Sequence, residues 1–256
     1  MKAYVLASGS KGNMTYLKVG DIRLFIDAGI SFQKMKKKMT DYGENLYDVN
    51  TLFLTHEHHD HIQGLRNLVK NGRIEHLYLT QGTYQELPKD AIEGIENIHF
   101  IQPDQPFQLG ETTIHPFSAS HDAKDPIGFV IHNHVRKMVY LTDTGYVDES
   151  YFDLLSEADL YIFEANHNPA TLFQSNRPFL LKKRIVGEKG HLSNEDAAKY
   201  MNVFTRNKKA IWVVAHISED CNSTLDIDEA IIKCFLDPTQ VEVYYTSQES
   251  LEMIEI

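Results

Sequence analysis

Four imidazoles and two carboxylates fill six consecutive positions, His56-Glu57-His58-His59-Asp60-His61, directly behind the apolar run Leu52-Phe53-Leu54. Ligand-type side chains this dense at the end of a strand point to metal binding. His56 and His58 are two apart, so on an extended chain they face the same side and can share one cation. If the chain then turns into a helix carrying Ile62, Leu65, Leu68 and Val69, Asp60 and His61 swing to a different angle and can serve a second cation. A histidine-rich surface loop is the bland alternative, and the position behind a buried strand speaks against it.

Three more such residues follow predicted strands: His121 after Ile114 to Ala119, Asp143 after Val139 to Thr142, and His216 after Trp212 to Ala215. Alone, each reads as a turn residue or a cap. Together they fit a sheet-based fold in which loops at strand ends converge on one site. His191 follows Gly190 and precedes Ser193-Asn194-Glu195-Asp196, a capping sequence that opens a helix.

The elements that must carry these residues alternate. Strands are expected at Tyr4 to Ala7, Thr15 to Val19, Ile22 to Ile26, Thr51 to Leu54, Leu77 to Leu79, Ile98 to Ile101, Thr112 to Ser118, Phe129 to His132, Met138 to Leu141, Leu160 to Phe163, Ile211 to Val214, Val241 to Tyr245 and Leu251 to Ile254. Helices are expected over Phe32 to Tyr42, Gln63 to Asn71, Asn194 to Phe204 and Ile227 to Phe235, with short ones near Tyr84 and Tyr151. A polar connection spans the stretch after Phe163. Between the first two strands, Ser8 to Asn13 offers either a hairpin loop or a backbone cradle for phosphate, with Ser10, Gly12 and Asn13 as candidate substrate contacts. No stretch reads as a linker, so residues 1–256 are taken as one α/β domain of two mixed sheets covered by helices.

With 42% hydrophobic residues the chain can bury a core, and no segment has the length and apolarity of a signal peptide or a membrane span, so a cytoplasmic protein is expected. Cys221 and Cys234 form neither a disulfide framework nor a zinc knuckle. A formal charge of -11 argues against a nucleic-acid coat protein but not against a nuclease, whose ligand carboxylates are offset by bound cations. Basic runs remain at residues 34–38, 182–184 and 206–209, each also readable as a solvated helix face.

These motifs resemble the metallo-β-lactamase superfamily, through His56-x-His58-x-Asp60-His61, His121, Asp143 in Leu141-Thr142-Asp143-Thr144-Gly145, and His216, in the family's order. The resemblance implies a four-layered αββα sandwich and two divalent cations, with Zn2+ favoured and Mn2+ or Fe as alternatives. It assigns His56, His58 and His121 to one cation, Asp60, His61 and His216 to the other, and Asp143 to both, with His59 outside the set. Asp27, in Ile26-Asp27-Ala28-Gly29, would support the ligand loop from behind. A metal-bridging hydroxide would be the nucleophile.

Substrate class follows from finer features. No Cys occupies a ligand position as in one lactamase class, only about 40 residues follow His216, too few for a thioesterase's helical extension, and the 73 positions from Asp143 to His216 leave no room for an RNA-processing domain. What remains resembles the small single-domain phosphodiesterases described as DNA exonucleases, through Leu6 to Asn13, Glu164-Ala165-Asn166-His167, Gly190 to Asn194, and Ala215 to Asn222. DNA is then the expected partner, with 5′-to-3′ polarity by resemblance. That group also implies His191 as general acid and counts Asp60 with it among the catalytic residues. Imidazole suits the role because its ordinary pKa lies near 6.5. Asn166 and His167 are further candidate substrate contacts. A thioester or lactone hydrolase and a non-catalytic metal-binding regulator are the alternatives.

Overall fold

The N-terminal alternation of apolar residues closes into an antiparallel meander of β1 (Lys2–Ala7), β2 (Met14–Val19) and β3 (Ile22–Ile26), with Val19 opposite Ile22 across the Gly20-Asp21 turn. Gly20 has φ 58°, the left-handed conformation that such a two-residue turn requires and that glycine adopts without penalty. The computed structural model describes residues 1–249 and 253–256. β4 (Thr51–Phe53), β5 (His76–Leu79) and β6 (Asn97–Phe100) continue the sheet in parallel from β3. Their crossovers carry helices Phe32–Asp41, Leu65–Asn71 and Gln81–Glu86, as parallel pairing demands.

A second sheet runs from β7 (Phe107–Leu109) through β8 (Thr112–Ser118), β9 (Ile127–His132) and β10 (Lys137–Leu141) to β11 (Leu160–Glu164), β12 (Ala210–Ala215) and β13 (Val241–Tyr245). β10 to β13 are parallel, so their carboxyl ends lie along one edge of that sheet. β14 (Ile254–Glu255) returns to pair with β1, so both sheets are seven-stranded. The chain divides into two compact units, residues 1–105, 123–127 and 246–256 around the first sheet and residues 106–122 and 128–245 around the second.

Each unit has its own apolar core. In the first, Phe25 and Leu52 of the sheet, with Leu54 just after β4, pack with Met35, Met39, Leu65 and Leu68 of the helices. In the second, Tyr161, Phe163 and Trp212 pack with Met201 and Phe204 of helix Asn194–Phe204 and Ile227 of helix Thr224–Cys234. The Trp212 indole donates to the Phe163 carbonyl at 3.0 Å, which satisfies the one polar atom of the largest buried side chain. Two mixed sheets with helices packed on them is the architecture expected from the sequence.

Some elements differ from expectation. The helix expected from Gln63 begins at Leu65 and runs to Asn71, and a separate short helix, His59–Ile62, precedes it; at Gly64 between them a Cβ would lie 1.9 Å from the Ile30 carbonyl oxygen. The polar connection after β11 holds helices Pro169–Gln174 and Phe179–Ile185, the first started by Asn168 accepting from the Ala170 and Thr171 amides with proline in its first turn. β7 is three residues long and carries too little alternation to be seen. Of the strand expected over Leu251 to Ile254, residues 251–252 lie outside the described residues.

Candidate metal site

In the first unit the parallel register sets Ile26 opposite Phe53, so the chain leaves β3 and β4 side by side. Asp27, with φ 61°, turns back there, and its carboxylate accepts from the Thr55 amide at 2.9 Å and the Thr55 hydroxyl. The Nδ1 atom of His61 lies 2.7 Å from the same carboxylate. Because carboxylate only accepts, His61 carries its proton on Nδ1 and presents an Nε2 lone pair. The Thr55 hydroxyl donates to Asp27, so it accepts from Nδ1 of His56 at 3.0 Å, and His56 is fixed in the same tautomer. Ring centroids of His58 and His61 lie 4.7 and 4.0 Å from that of His56. His59 is exposed.

Asn13 is fully buried, and its side chain is committed within the unit. Its carbonyl oxygen accepts from the Gly9 amide at 2.8 Å, and its nitrogen donates to Asp60 at 3.1 Å and meets Nε2 of His61 at 3.0 Å. Gly12 is buried against Gly29, whereas Ser10 is exposed. Gly29 admits no side chain, since a Cβ there would lie 1.8 Å from the Asp60 carbonyl oxygen. The loop thus braces the ligand turn.

In the second unit His121, Asp143, Glu164, His191 and His216 come together. Oδ1 of Asp143 lies 3.8 Å from Nε2 of His121 and 3.4 Å from Nε2 of His216, so one carboxylate faces both imidazoles. His121 donates from Nδ1 to the Gly190 carbonyl at 3.0 Å, and Gly190 itself packs so closely on the end of helix Phe179–Ile185 that a Cβ would collide with the Ile185 and Arg184 carbonyls. Asp143 and His216, like Asp27, have positive φ, at 58° and 53°. Non-glycine residues held in that conformation concentrate at functional sites.

Glu164 is the residue that sequence reasoning missed. Fully buried at the end of β11, it accepts from Nδ1 of His191 at 2.7 Å, from Nδ1 of His216 at 3.2 Å and from the Thr144 amide at 2.9 Å. Burial alone would raise its carboxyl, but the His191 and His216 imidazoles reverse the effect and hold it below the usual range. A carboxylate closing the apolar run Leu160-Tyr161-Ile162-Phe163 was the available signal. His191 stands 18% exposed, its ring stacked on that of His216 with centroids 5.0 Å apart. Ser193 caps the following helix through the Asp196 amide, as expected.

Of the expected substrate contacts here, Asn166 donates to the His216 carbonyl at 2.8 Å. His167 is 2% exposed, and burial lowers its imidazole pKa to about 4. Burial likewise lowers the His121 imidazole, with Asp143 opposing. Nitrogen and oxygen donors with backed imidazoles fit Zn2+, Mn2+ or Fe. Neither cysteine joins them: Cys221 packs with Leu172 and Ile185, and Cys234 ends a helix.

The β-lactamase superfamily domain matches residues 22–217. The chain belongs to the metallo-β-lactamase superfamily. Within it the chain falls in the YycJ and WalJ group. It is 36% identical over 227 residues to exodeoxyribonuclease YycJ of Bacillus anthracis, covering 85% of this chain and 83% of that one. Identity to exodeoxyribonuclease WalJ of Streptococcus pneumoniae is 33% over 224 residues, covering 86% and 83%. The superfamily fold extends over nearly the whole chain: the metallo-β-lactamase fold protein YhfI of Bacillus subtilis superposes with a TM-score of 0.72 at 18% identity, covering 98% of this chain and 99% of that one. Among the described residues no helix is long and apolar enough to cross a membrane.

Proposed function

We propose that this chain is a dinuclear metal-dependent phosphodiesterase that degrades DNA as an exonuclease, from the 5′ end. His56, His58 and His121 would hold one cation and Asp60, His61 and His216 the other, with Asp143 available to both. Two such cations, when bound, lower the pKa of water towards neutrality and neutralise charge on the attacked phosphate. The observation that carries the reading is the His191–Glu164 pair beside Asp143, in a chain 36% identical to a protein named exodeoxyribonuclease.

The chain's own residues supply orientation and a proton. Glu164 fixes Nδ1 of His191 as a donor, so Nε2 is the atom left to protonate the departing deoxyribose oxygen. Without that proton the leaving group departs as an alkoxide, and general acids of this kind contribute about 10² to 10⁴ in rate. The same carboxylate, through His216, aligns a ligand with the acid. Zn2+ is the cation favoured, with Mn2+ next, and a DNA substrate places the protein's work in the cytoplasm.

The test is to incubate Zn- and Mn-loaded protein with DNA and RNA duplexes labelled separately at each 5′ and 3′ end. Release of labelled mononucleotide first from the 5′ label of DNA is expected. Turnover of S-lactoylglutathione with no cleavage of any phosphodiester would replace this reading by a thioester hydrolase.

A further inference from the structure

Between Glu164 and Glu188 the chain runs 23 residues, 165–187, without an acidic side chain, although it holds 36 acidic residues in all. Arg177, Lys182, Lys183 and Arg184 fall inside that stretch. So do five large apolar side chains turned to solvent, of which Phe173, Phe179 and Leu180 are the most exposed, at 53%, 70% and 79%. The two helices are rigidly mounted. Leu172 and Ile185 pack on Cys221, and the Lys182 ammonium donates to the Phe173 and Ser175 carbonyls at 2.7 and 2.6 Å.

Three tethers of this platform lead to loops of the second unit's site. Arg184 binds Asp122, next to His121, and Arg177 binds Asp220 at 3.2 Å, four residues beyond His216. The Ile185 carbonyl accepts from the His191 amide at 2.8 Å. Lys183 is exposed and makes no salt bridge among the described residues. Exposed aromatic faces interleaved with cations, anchored beside the proton donor, match how single strands are held: bases stack on rings while phosphates meet the basic groups.

We propose that the face formed by Phe173, Phe179, Leu180 and Lys183 grips an unpaired DNA strand next to the scissile phosphate. The inference rests on the nuclease reading and narrows its substrate. Bases paired in a duplex have no free face for Phe179, so the strand must be single or frayed there.

The test uses metal-loaded protein and a fluorescein-labelled phosphorothioate oligothymidylate, which resists cleavage, followed by anisotropy at several salt concentrations. Phe179→Ala should weaken binding about tenfold, raise KM more than it lowers kcat on the ordinary oligonucleotide, and lower the ratio of DNA cleavage to bis(p-nitrophenyl) phosphate hydrolysis. Lys183→Glu should weaken binding and flatten the salt dependence by about 0.7 in log–log slope. Unchanged oligonucleotide binding by F179A in an enzyme that cleaves DNA would overturn this inference alone. Equal loss on both substrates, or conversion of a dimer to monomers by F179A in sedimentation, would overturn it too. Wild-type protein that neither binds nor cleaves DNA would overturn the nuclease reading, and this inference with it.

Discussion

In the first unit the Asp27 carboxylate meets one imidazole, that of His61 at 2.7 Å, and the amide and hydroxyl of Thr55. In the second the Glu164 carboxylate meets two, His191 at 2.7 Å and His216 at 3.2 Å, and the amide of Thr144. Both carboxylates are fully buried, and both fix the Nδ1 tautomer of a histidine. Their acidities nevertheless move in opposite directions. Burial pushes Asp27 up despite His61, whereas at Glu164 the two imidazoles outweigh burial and hold the carboxyl down. One imidazole does not offset the cost of burying a carboxylate here; two do. The His191 and His216 imidazoles together thus favour the carboxylate form of Glu164, which the single imidazole of His61 does not do for Asp27.

Glu164→Gln, which preserves volume but removes the charge, tests that asymmetry most severely. It releases the proposed ligand His216 and the proposed acid His191 together. Outer partners of a metal ligand are worth about 10 to 100-fold, and a general acid about 10² or more, so a loss near 10³ in kcat is expected. His191→Ala should lose about 10²-fold while keeping its metal. Equal metal content and equal rates for the two variants, measured by elemental analysis and steady-state kinetics, would show that Glu164 acts on His191 alone.

Acid should separate the two units of the metal-free protein. His167 has its pKa lowered from 6.5 to about 4, so its contribution is complete above 6.5 and is lost as pH falls towards 4, about 3 kcal/mol in all. Glu164, also lowered, adds in the same direction only below about 4.5, where its contribution is lost as pH falls through its folded value. Asp27 is raised, so its contribution is present at acid pH and lost as pH rises. Hydrogen exchange should thus show β11 and β12 losing protection between pH 7 and pH 5 before β2 and β3, and His167→Gln should flatten the change. Equal loss in both sheets would erase the contrast.

Asp27→Asn ranks next. It breaks the support of His61 but leaves every residue of the second unit in place, so metal affinity should fall about 10 to 100-fold with the rate of the fully loaded enzyme changed much less. Competition with a chelating dye measures the first and saturating metal the second.

Local pattern made much of this legible. The histidine cluster is contiguous, the strands alternate, and Ser193 with Asp196 announces the helix Asn194–Phe204. The residues that escaped are those whose work depends on distant partners. Glu164 ends a strand like any polar residue until β12 brings His216 beside it, and Asn13 reads as a loop residue until the ligand turn closes over it. Helices Pro169–Gln174 and Phe179–Ile185 escaped for another reason: at six and seven residues they are too short to display a helical period, and tertiary packing on Cys221 holds them.

Asn13 gives the smallest expected effect and the finest test of how the first unit is braced. Its amide nitrogen both supports Asp60 at 3.1 Å and occupies the Nε2 lone pair of His61 at 3.0 Å, the lone pair a cation would take. Asn13→Ala therefore removes a support and a competitor at once. A hydrogen bond to a charged carboxylate is worth about 1.5 to 3 kcal/mol and a neutral one about 1, so the lost support outweighs the relieved competition. Metal affinity should fall only a few-fold, far less than in Asp27→Asn. Tighter metal binding in the chelator competition would mean that the amide chiefly blocks His61, and that Asp27, Thr55 and Gly29 hold the ligand turn without it.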